Sequence, residues 1–458
     1  MNVAGEHITI IGAGLTGSLL AVMLARRNMH VTLLERQADP RKTAVAAGRS
    51  INLAMAARGL RGLSHAGLAD AIGELQCPMP GRILHHADGT TSFQPYGNKP
   101  HEINYSVSRA GLNHLLLDAA EQAGAKVEFH QQCNGFDPHK GALSITDTRD
   151  PGNPYLRRVL RFIASDGAGS PVRRALQSLP EFTMDESLLG HRYQEIAIPP
   201  DASGNYAMDP GGLHVWPRGD FMLIALPNPG GDFTATLFMP ESASSEPSFS
   251  MWDDTHAALA FFSETFADVP PLVPDLAEQL EHHPLGIMGT VRCNRWHWRD
   301  QCLLIGDAAH AIVPFHGQGM NAAFEDCVVF DNLIDNAVDW ATLFSDFTDQ
   351  RRKNADAIAS MALENYEEMR DTVRDPRFHL KKALAFALEE RCPAHFIPRY
   401  SMVMFHADIP YATAFERGAI QAQLLDEWTA NAQSIDDIDL EHCVAAVESQ
   451  LPPLMTEE

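Results

Sequence analysis

The stretch HITIIGAGLTGSLLAVMLARRNMHVTLLE, His7 to Glu35, decides the fold. A β-rich run, His7 to Ile11, meets the turn Gly12-Ala13-Gly14-Leu15-Thr16-Gly17. A helical stretch follows with Leu19, Leu20, Met23 and Leu24 on one side, and a second strand, Val31 to Leu34, closes on Glu35. Strand, glycine turn, helix and strand in that order form a βαβ unit, and α/β architecture follows from it. Gly12 allows the tight turn, Gly14 lets a pyrophosphate approach the backbone, and Gly17 lets helix and strand pack closely. The helix N-terminus turns its unpaired N–H groups toward the phosphates. Glu35, 18 residues beyond Gly17, is placed to accept hydrogen bonds from an adenosine ribose. Alone, the glycine pattern is compatible with an ordinary turn; with strand, helix and distal acid in place it marks a dinucleotide site. There is no second such fingerprint, which disfavours a reductase with two dinucleotide domains.

Outward from this unit, the chain has 458 residues, with 35 Lys and Arg against 59 Asp and Glu, a formal charge of −24. That balance argues against a nucleic-acid binder, because phosphate-backbone recognition needs a basic face. Hydrophobic residues at 45% and charged residues at 21% are ordinary for a globular protein. The length suggests two or three domains, each able to bury a core. No apolar run approaches the roughly 18 residues of a spanning helix. The seven cysteines, Cys77, Cys133, Cys293, Cys302, Cys327, Cys392 and Cys443, show no CxxC and read as free thiols of a reducing cytoplasm. The histidine doublets His85-His86 and His282-His283 match no ligand spacing, so no metal is expected.

Two further strand-to-turn signals carry chemistry. After the apolar run CLLIG comes Gly306-Asp307-Ala308-Ala309-His310, leading through VPFHGQGMN into a helix with Phe324, Val328 and Leu333. An aspartate at a strand end can hold a polyol hydroxyl, and the helix start at Gly317 to Asn321 points a positive dipole end outward. The other is Asp166-Gly167, between a strand (Leu160 to Ala164) and a turn with Ser170, Pro171, Val172 and Arg173. Either alone reads as a plain crossover or turn. His191 to Pro240 alternates apolar runs with Pro and Gly, as an antiparallel sheet does. Glu241 to Ser250 reads as a surface loop. From Trp340 onward the pattern is mostly helical.

The three motifs in this order resemble the single-component FAD-dependent aromatic hydroxylases, the group A flavoprotein monooxygenases. The resemblance implies a Rossmann-like FAD-binding domain (1–75, 100–180 and 285–340), an interleaved antiparallel-sheet substrate domain (76–99 and 181–284), and a helical C-terminal region (341–458) closing the active site. It implies tightly bound FAD held by Gly12, Gly14, Leu15, Gly17, Glu35, Arg36, Arg109, Asp166, Gly167, Asp307, Gly319, Met320 and Asn321, and NADPH as a co-substrate without a domain of its own.

Within that family the chain is most similar to the branch that hydroxylates L-kynurenine, through GRSINLA (Gly48 to Ala54), QPYG (Gln94 to Gly97), LHVWPRGDFMLIALPN (Leu213 to Asn228), VPFHGQGMN (Val313 to Asn321), ALENYEEM (Ala362 to Met369) and FIPRYSMV (Phe396 to Val403). An amino-acid tail on an aromatic ketone needs a carboxylate clamp beside a dry ring pocket. Arg82 is a suitable fork, and Tyr96 can hydrogen-bond the same group. By resemblance, Asn365 and Tyr400 line this pocket with Glu368 nearby; Leu213, Met222, Leu226 and Phe238 form its wall; and Phe315 and His316 stand between substrate and flavin. The implied reaction passes hydride from NADPH to FAD, activates O2 at flavin C4a and oxygenates the ring carbon ortho to the amino group. No side chain is needed as a strong base.

Each residue has a plainer role available: a solvated Arg, a turn Tyr, a core Leu or Met. Gly111 departs from the family, which carries a second basic residue there. Trp296-His297-Trp298 resembles the WxW of flavin halogenases, but Arg299-Asp300 follow, so halogenation is rejected. The runner-up activity is hydroxylation of another aromatic or indole substrate by the same group. A flavin oxidase or reductase, and a non-catalytic flavin-binding protein, rank lower. The sequence ESQLPPLMTEE is acidic and polar, unlike a membrane anchor, so a protein free in the cytoplasm is expected; a monomer or homodimer is a separate expectation. Ala419 to Trp428 is amphipathic, and its Asp426 and Glu427 favour packing on the body of the protein over lipid.

Overall fold

The computed structural model describes residues 1–42, 52–242, 247–252, 254–370 and 376–454. Gly48 to Ile51 of GRSINLA, and residues 243–246 of the expected Glu241 to Ser250 loop, lie outside the described residues.

A six-stranded sheet orders its strands His297–Trp298, Cys302–Leu304, Phe162–Ala164, His7–Ile11, His30–Leu34 and Lys126–Glu128. All neighbours are parallel except His297–Trp298 against Cys302–Leu304. The three strands that precede the three sequence motifs therefore lie side by side, although about 150 residues separate each from the next. Their registers run Ile10 to Ile163 and Ile163 to Leu303, so the motif loops leave the same edge together. The first helix, Leu15–Arg26, is buried continuously from Gly17 to Ala25 because it is sandwiched between this sheet and the rest of the domain. Each fully buried Leu of that helix contributes about 1.5–3 kcal/mol relative to exposure.

The second large sheet has seven strands, ordered Gly286–Cys293, Met184–Ile198, Phe233–Pro240, Met222–Pro227, Leu213–Pro217, Gly81–His85 and Thr91–Pro95. It is antiparallel as expected, with one exception. Leu213–Pro217 and Gly81–His85 pair in parallel, because the second strand arrives from a separate part of the chain rather than through a hairpin. Two three-stranded sheets, one of Gln131–Asp137, Ala142–Asp147 and Tyr155–Arg158 and one of Asn52–Met55, Asn104–Ser108 and Gln76–Met79, were not foreseen from periodicity. The turn expected after Gly169 is the helix Pro171–Leu176, started by proline at its first position and capped by the Ser170 side chain accepting from the Arg173 N–H.

The C-terminal third is helical, with Trp340–Arg370, Pro376–Arg391, Arg399–Met404, Tyr411–Thr429 and Leu440–Gln450. The amphipathic stretch within Tyr411–Thr429 packs inward: Leu424 is buried with Leu384, Leu388 and Phe396. Arg58, fully buried, ties this region to the nucleotide domain by donating to the carbonyls of Val403 and Ile409, with its guanidinium over the Tyr411 ring at 3.9 Å. No helix among the described residues is long and apolar enough to cross a membrane.

Candidate active site

The glycine turn has one face packed and one face open. Gly12 sits at φ +92°, and a Cβ there would lie 2.6 Å from the Ser165 carbonyl oxygen. A Cβ on Gly17 would collide with the Gly12 carbonyl. Gly14 is exposed, and a Cβ on it would meet nothing within 4 Å. That open surface adjoins a helix start with no side-chain cap, so its first N–H groups remain for an anion. Glu35 accepts from the Ala13 and Gln37 N–H groups, both at 2.9 Å, which fixes the carboxylate beside the turn with lone pairs to spare. Ser165 stitches the neighbouring strand to the turn by donating to the carbonyls of Ile11 (2.9 Å) and Gly12 (3.0 Å).

Next to it, both carboxylate oxygens of Asp166 are buried without a hydrogen-bond partner, and burial pushes this carboxyl up from its ordinary pKa. Such a group calls for a polar ligand. Gly167, at φ +84°, borders open space. Asp307 is exposed at the start of the short helix Asp307–His310. Its loop is braced from below by Asp326, which accepts from the Gly306 N–H (3.1 Å), His310 Nε2 (2.6 Å) and Arg351 Nε (2.7 Å). Burial alone would raise the Asp326 pKa; His310 and Arg351 outweigh it and hold it low. The fully buried Arg173 bridges the two loops by donating to the carbonyls of Ala168 and Ala308.

Helix Gly319–Asn336 also begins without a side-chain cap, since Gln318 turns its amide to Met404 Sδ (3.0 Å) and the Tyr411 hydroxyl (2.6 Å). Asn321 spends its side chain on the protein, donating to Ala54 and Gly317 carbonyls and accepting from Ala56 and Gly59 N–H groups. Met320 is half-buried, whereas Arg36 and Arg109 are exposed. Leu15 opens its helix beside Gly14.

The substrate-side residues converge on Arg82. This residue is 7% exposed, its Nε has no hydrogen-bond partner, and no carboxylate lies within ion-pair distance of it among the described residues. Its guanidinium lies 5.6 Å from the Tyr96 ring centre and 5.4 Å from that of Tyr400. Tyr96 and Tyr400 stack at 5.7 Å, and His316 stacks with Tyr400 at 5.5 Å. The Asn104 amide approaches the Tyr400 hydroxyl at 3.4 Å. Burial raises the Tyr96 hydroxyl pKa, and burial with the nearby arginines Arg399, Arg82 and Arg58 takes His316 down to about 3, so the imidazole is neutral. Burial disfavours the Arg82 charge, Tyr400, Tyr96 and the more distant Glu368 outweigh it, and a bound anion would supply the direct counter-charge that the described residues lack.

Leu213, Met222, Phe238 and Phe315 share one apolar cluster, with Met222 opposite Phe238 in register. Leu226, Tyr96, Leu213 and Tyr400 share the adjoining one. Phe315 stacks on Tyr366 at 3.8 Å, and Asn365 donates to the Phe315 carbonyl at 2.7 Å. Glu368 is half-buried on the same helix. The Phe315-His316 loop follows the Gly306-Asp307 loop directly, so it joins the cofactor sheet to the ring stack. Trp296 is buried against His310 at 4.8 Å. Sequence reasoning overlooked the braces Asp326 and Arg351 and the half-buried Lys382, whose Nζ donates to the Pro95 carbonyl at 2.8 Å and whose pKa falls to about 8 through burial and the repulsion of Arg82. The acids Glu325 and Asp326 amid the apolar stretch Ala322 to Phe330 were a usable signal for this brace; Lys382 gave none.

A family model described as an FAD binding domain matches residues 6–204 and 274–356. A protein of Stenotrophomonas maltophilia (strain K279a) named kynurenine 3-monooxygenase is 44% identical over 451 residues, covering 98% of each chain. One of the same name from Xanthomonas euvesicatoria pv. vesicatoria (strain 85-10) is 45% identical over 454 residues, covering 99% of this chain and 98% of the other. Among solved structures, 2-methyl-3-hydroxypyridine-5-carboxylic acid oxygenase superposes with a TM-score of 0.64 at 18% identity, over 81% of this chain and 94% of its own. Klebsiella pneumoniae HpxO complexed with FAD and uric acid gives 0.61 at 19% identity, over 80% and 89%. At those identities the likeness is one of fold.

Proposed function

We propose that this chain, which belongs to the kynurenine 3-monooxygenase family of FAD-binding proteins, hydroxylates L-kynurenine to 3-hydroxy-L-kynurenine with NADPH and O2. FAD supplies the redox and oxygen-transfer chemistry when bound. The residues present suit it. The open face of Gly14, with Gly12, Leu15 and Gly17, takes the pyrophosphate, and Glu35 takes the ribose, with Arg36 and Arg109 at the rim. The unsatisfied Asp166 with Gly167, then Asp307, Gly319, Met320 and Asn321, border the rest of the group.

The observation that carries the substrate assignment is Arg82, a buried guanidinium among stacked rings whose Nε has no hydrogen-bond partner and which has no carboxylate at ion-pair distance among the described residues. It binds the α-carboxylate as a fork, assisted by the hydroxyls of Tyr96 and Tyr400. Leu213, Met222, Leu226, Phe238 and Phe315 exclude water around the aniline ring, Asn365 fixes the Phe315 backbone, and Glu368 borders the entrance. His316, being neutral, orients the ring without adding charge. Position and dryness are the contribution of these side chains. The seven cysteines, all free and buried, suit a cytoplasmic enzyme.

The test is flavin reduction by NADPH in the absence of oxygen. L-Kynurenine should accelerate it strongly; an unchanged rate over a saturating range would remove the substrate assignment.

A further inference from the structure

The strand Thr91–Pro95 lies at the edge of the seven-stranded sheet, and four of its five residues are exposed. The buried one is Gln94, 7% exposed, and neither its side-chain oxygen nor its nitrogen has a hydrogen-bond partner. A single inward residue on an edge strand is ordinarily apolar, because a buried amide left unsatisfied is costly at both its oxygen and its nitrogen. Its position explains the exception. Gln94 stands directly opposite Arg82 in the antiparallel register, and Arg82 in turn stands beside Leu213 in the parallel one. Directly opposed residues project from the same face with Cβ atoms about 5 Å apart. Two steps along, Tyr96 belongs to the same face by the two-residue alternation of a strand.

The row Leu213, Arg82, Gln94 thus runs from an apolar wall through a cation with a free Nε and no carboxylate beside it to an amide with no partner. Arg82 offers donors only; Gln94 offers the one kind of group that the guanidinium lacks, a neutral acceptor, together with a donor. An α-amino acid carries an anion and a cation on a single carbon, and needs this adjacent pair of complements.

We infer that Gln94 is a specificity-determining residue that accepts a hydrogen bond from the substrate's α-ammonium while Arg82 holds the carboxylate, so that the site selects amino acids over the corresponding deaminated acids. The inference rests on the function proposed above. A carboxamide does this with no second charge to neutralise Arg82, as a carboxylate at that position would.

Calorimetric titration of the FAD-loaded enzyme tests it, with L-kynurenine and with its analogue in which hydrogen replaces the ammonium group. The unmodified enzyme should prefer kynurenine by about 10- to 100-fold. Gln94→Met, close in shape, should abolish that preference while FAD content and NADPH affinity stay unchanged. Gln94→Glu, which keeps an acceptor, should retain the preference even as both ligands bind more weakly beside Arg82, so a folding failure of the Met variant leaves the comparison intact. Equal binding of both ligands by the unmodified enzyme, or an equal weakening of both by Gln94→Met, would overturn the role. No binding of kynurenine by the unmodified enzyme would overturn the functional proposal itself, and this inference with it.

Discussion

The nucleotide cradle and the Arg82 pocket are built by opposite means. The cradle comes from three short motifs, each complete within a strand and the turn after it, and parallel pairing sets those turns side by side. The pocket comes from single residues at 82, 94, 96, 213, 316 and 400, none of which forms a local pattern, joined only when the seven-stranded sheet meets the C-terminal helices. A cradle made of backbone tolerates change where its surface is open and fails where it is packed. A pocket made of side chains loses function one contact at a time.

The largest effect should come from the brace beneath the cradle. Asp326→Ala removes the buried carboxylate that holds the Gly306 N–H and His310 and leaves Arg351 with Glu325 alone, and denaturant unfolding should show a loss of about 3–5 kcal/mol with release of FAD. A loss of stability with the flavin still bound would separate the brace from the cradle.

Next comes Arg82→Ala, which should raise the kynurenine requirement by about 2–4 kcal/mol while leaving that for NADPH nearly unchanged in steady-state kinetics. Equal losses for both would contradict the clamp.

Gly14→Ala should weaken FAD binding by about 1–3 kcal/mol, the usual cost of overfilling a fitted space, with the apoprotein melting as before because the added Cβ meets no protein atom within 4 Å. Flavin-binding titration and thermal unfolding read the two halves of that statement separately. A drop in the melting temperature of the apoprotein would show that Gly14 serves the fold instead of the ligand.

The smallest effect concerns Lys382, whose pKa is lowered from 10.5 to about 8. It is charged below that pH and loses its charge as pH rises through it. A carboxylate ligand favours the charged form, so kynurenine affinity should fall above pH 8, by an amount worth roughly 0.5–1 kcal/mol. Lys382→Met should flatten this limb of the kcat/KM profile; an identical limb in the variant would assign it elsewhere.

How far the sequence could be read follows from the same contrast. Gly12, Gly14, Gly17 and Glu35 were legible because a turn, a close approach and an acid at a strand end each impose a residue type at a fixed spacing. Arg82, Tyr96 and Tyr400 carried no such spacing and came from the family resemblance alone. Gln94 was quoted within QPYG without a role, because its meaning lies in a cross-strand register with Arg82 that no local pattern encodes. Asn321 shows another limit: the family resemblance put it beside the cofactor, and its side chain holds the backbone of Ala54, Ala56, Gly59 and Gly317, an anchoring role that no local pattern announces. The parallel pairing of Leu213–Pro217 with Gly81–His85 was equally invisible, since hydrophobic alternation reports a strand but not its neighbour.

The central claim is that a dry, Arg82-anchored pocket delivers an atom of dioxygen to kynurenine. The most direct measurement is mass analysis of the product formed from L-kynurenine and NADPH under isotopically labelled O2. One labelled oxygen in 3-hydroxy-L-kynurenine, in proportion to the NADPH consumed, is the expected result. NADPH oxidation that yields only hydrogen peroxide and unaltered kynurenine would contradict it.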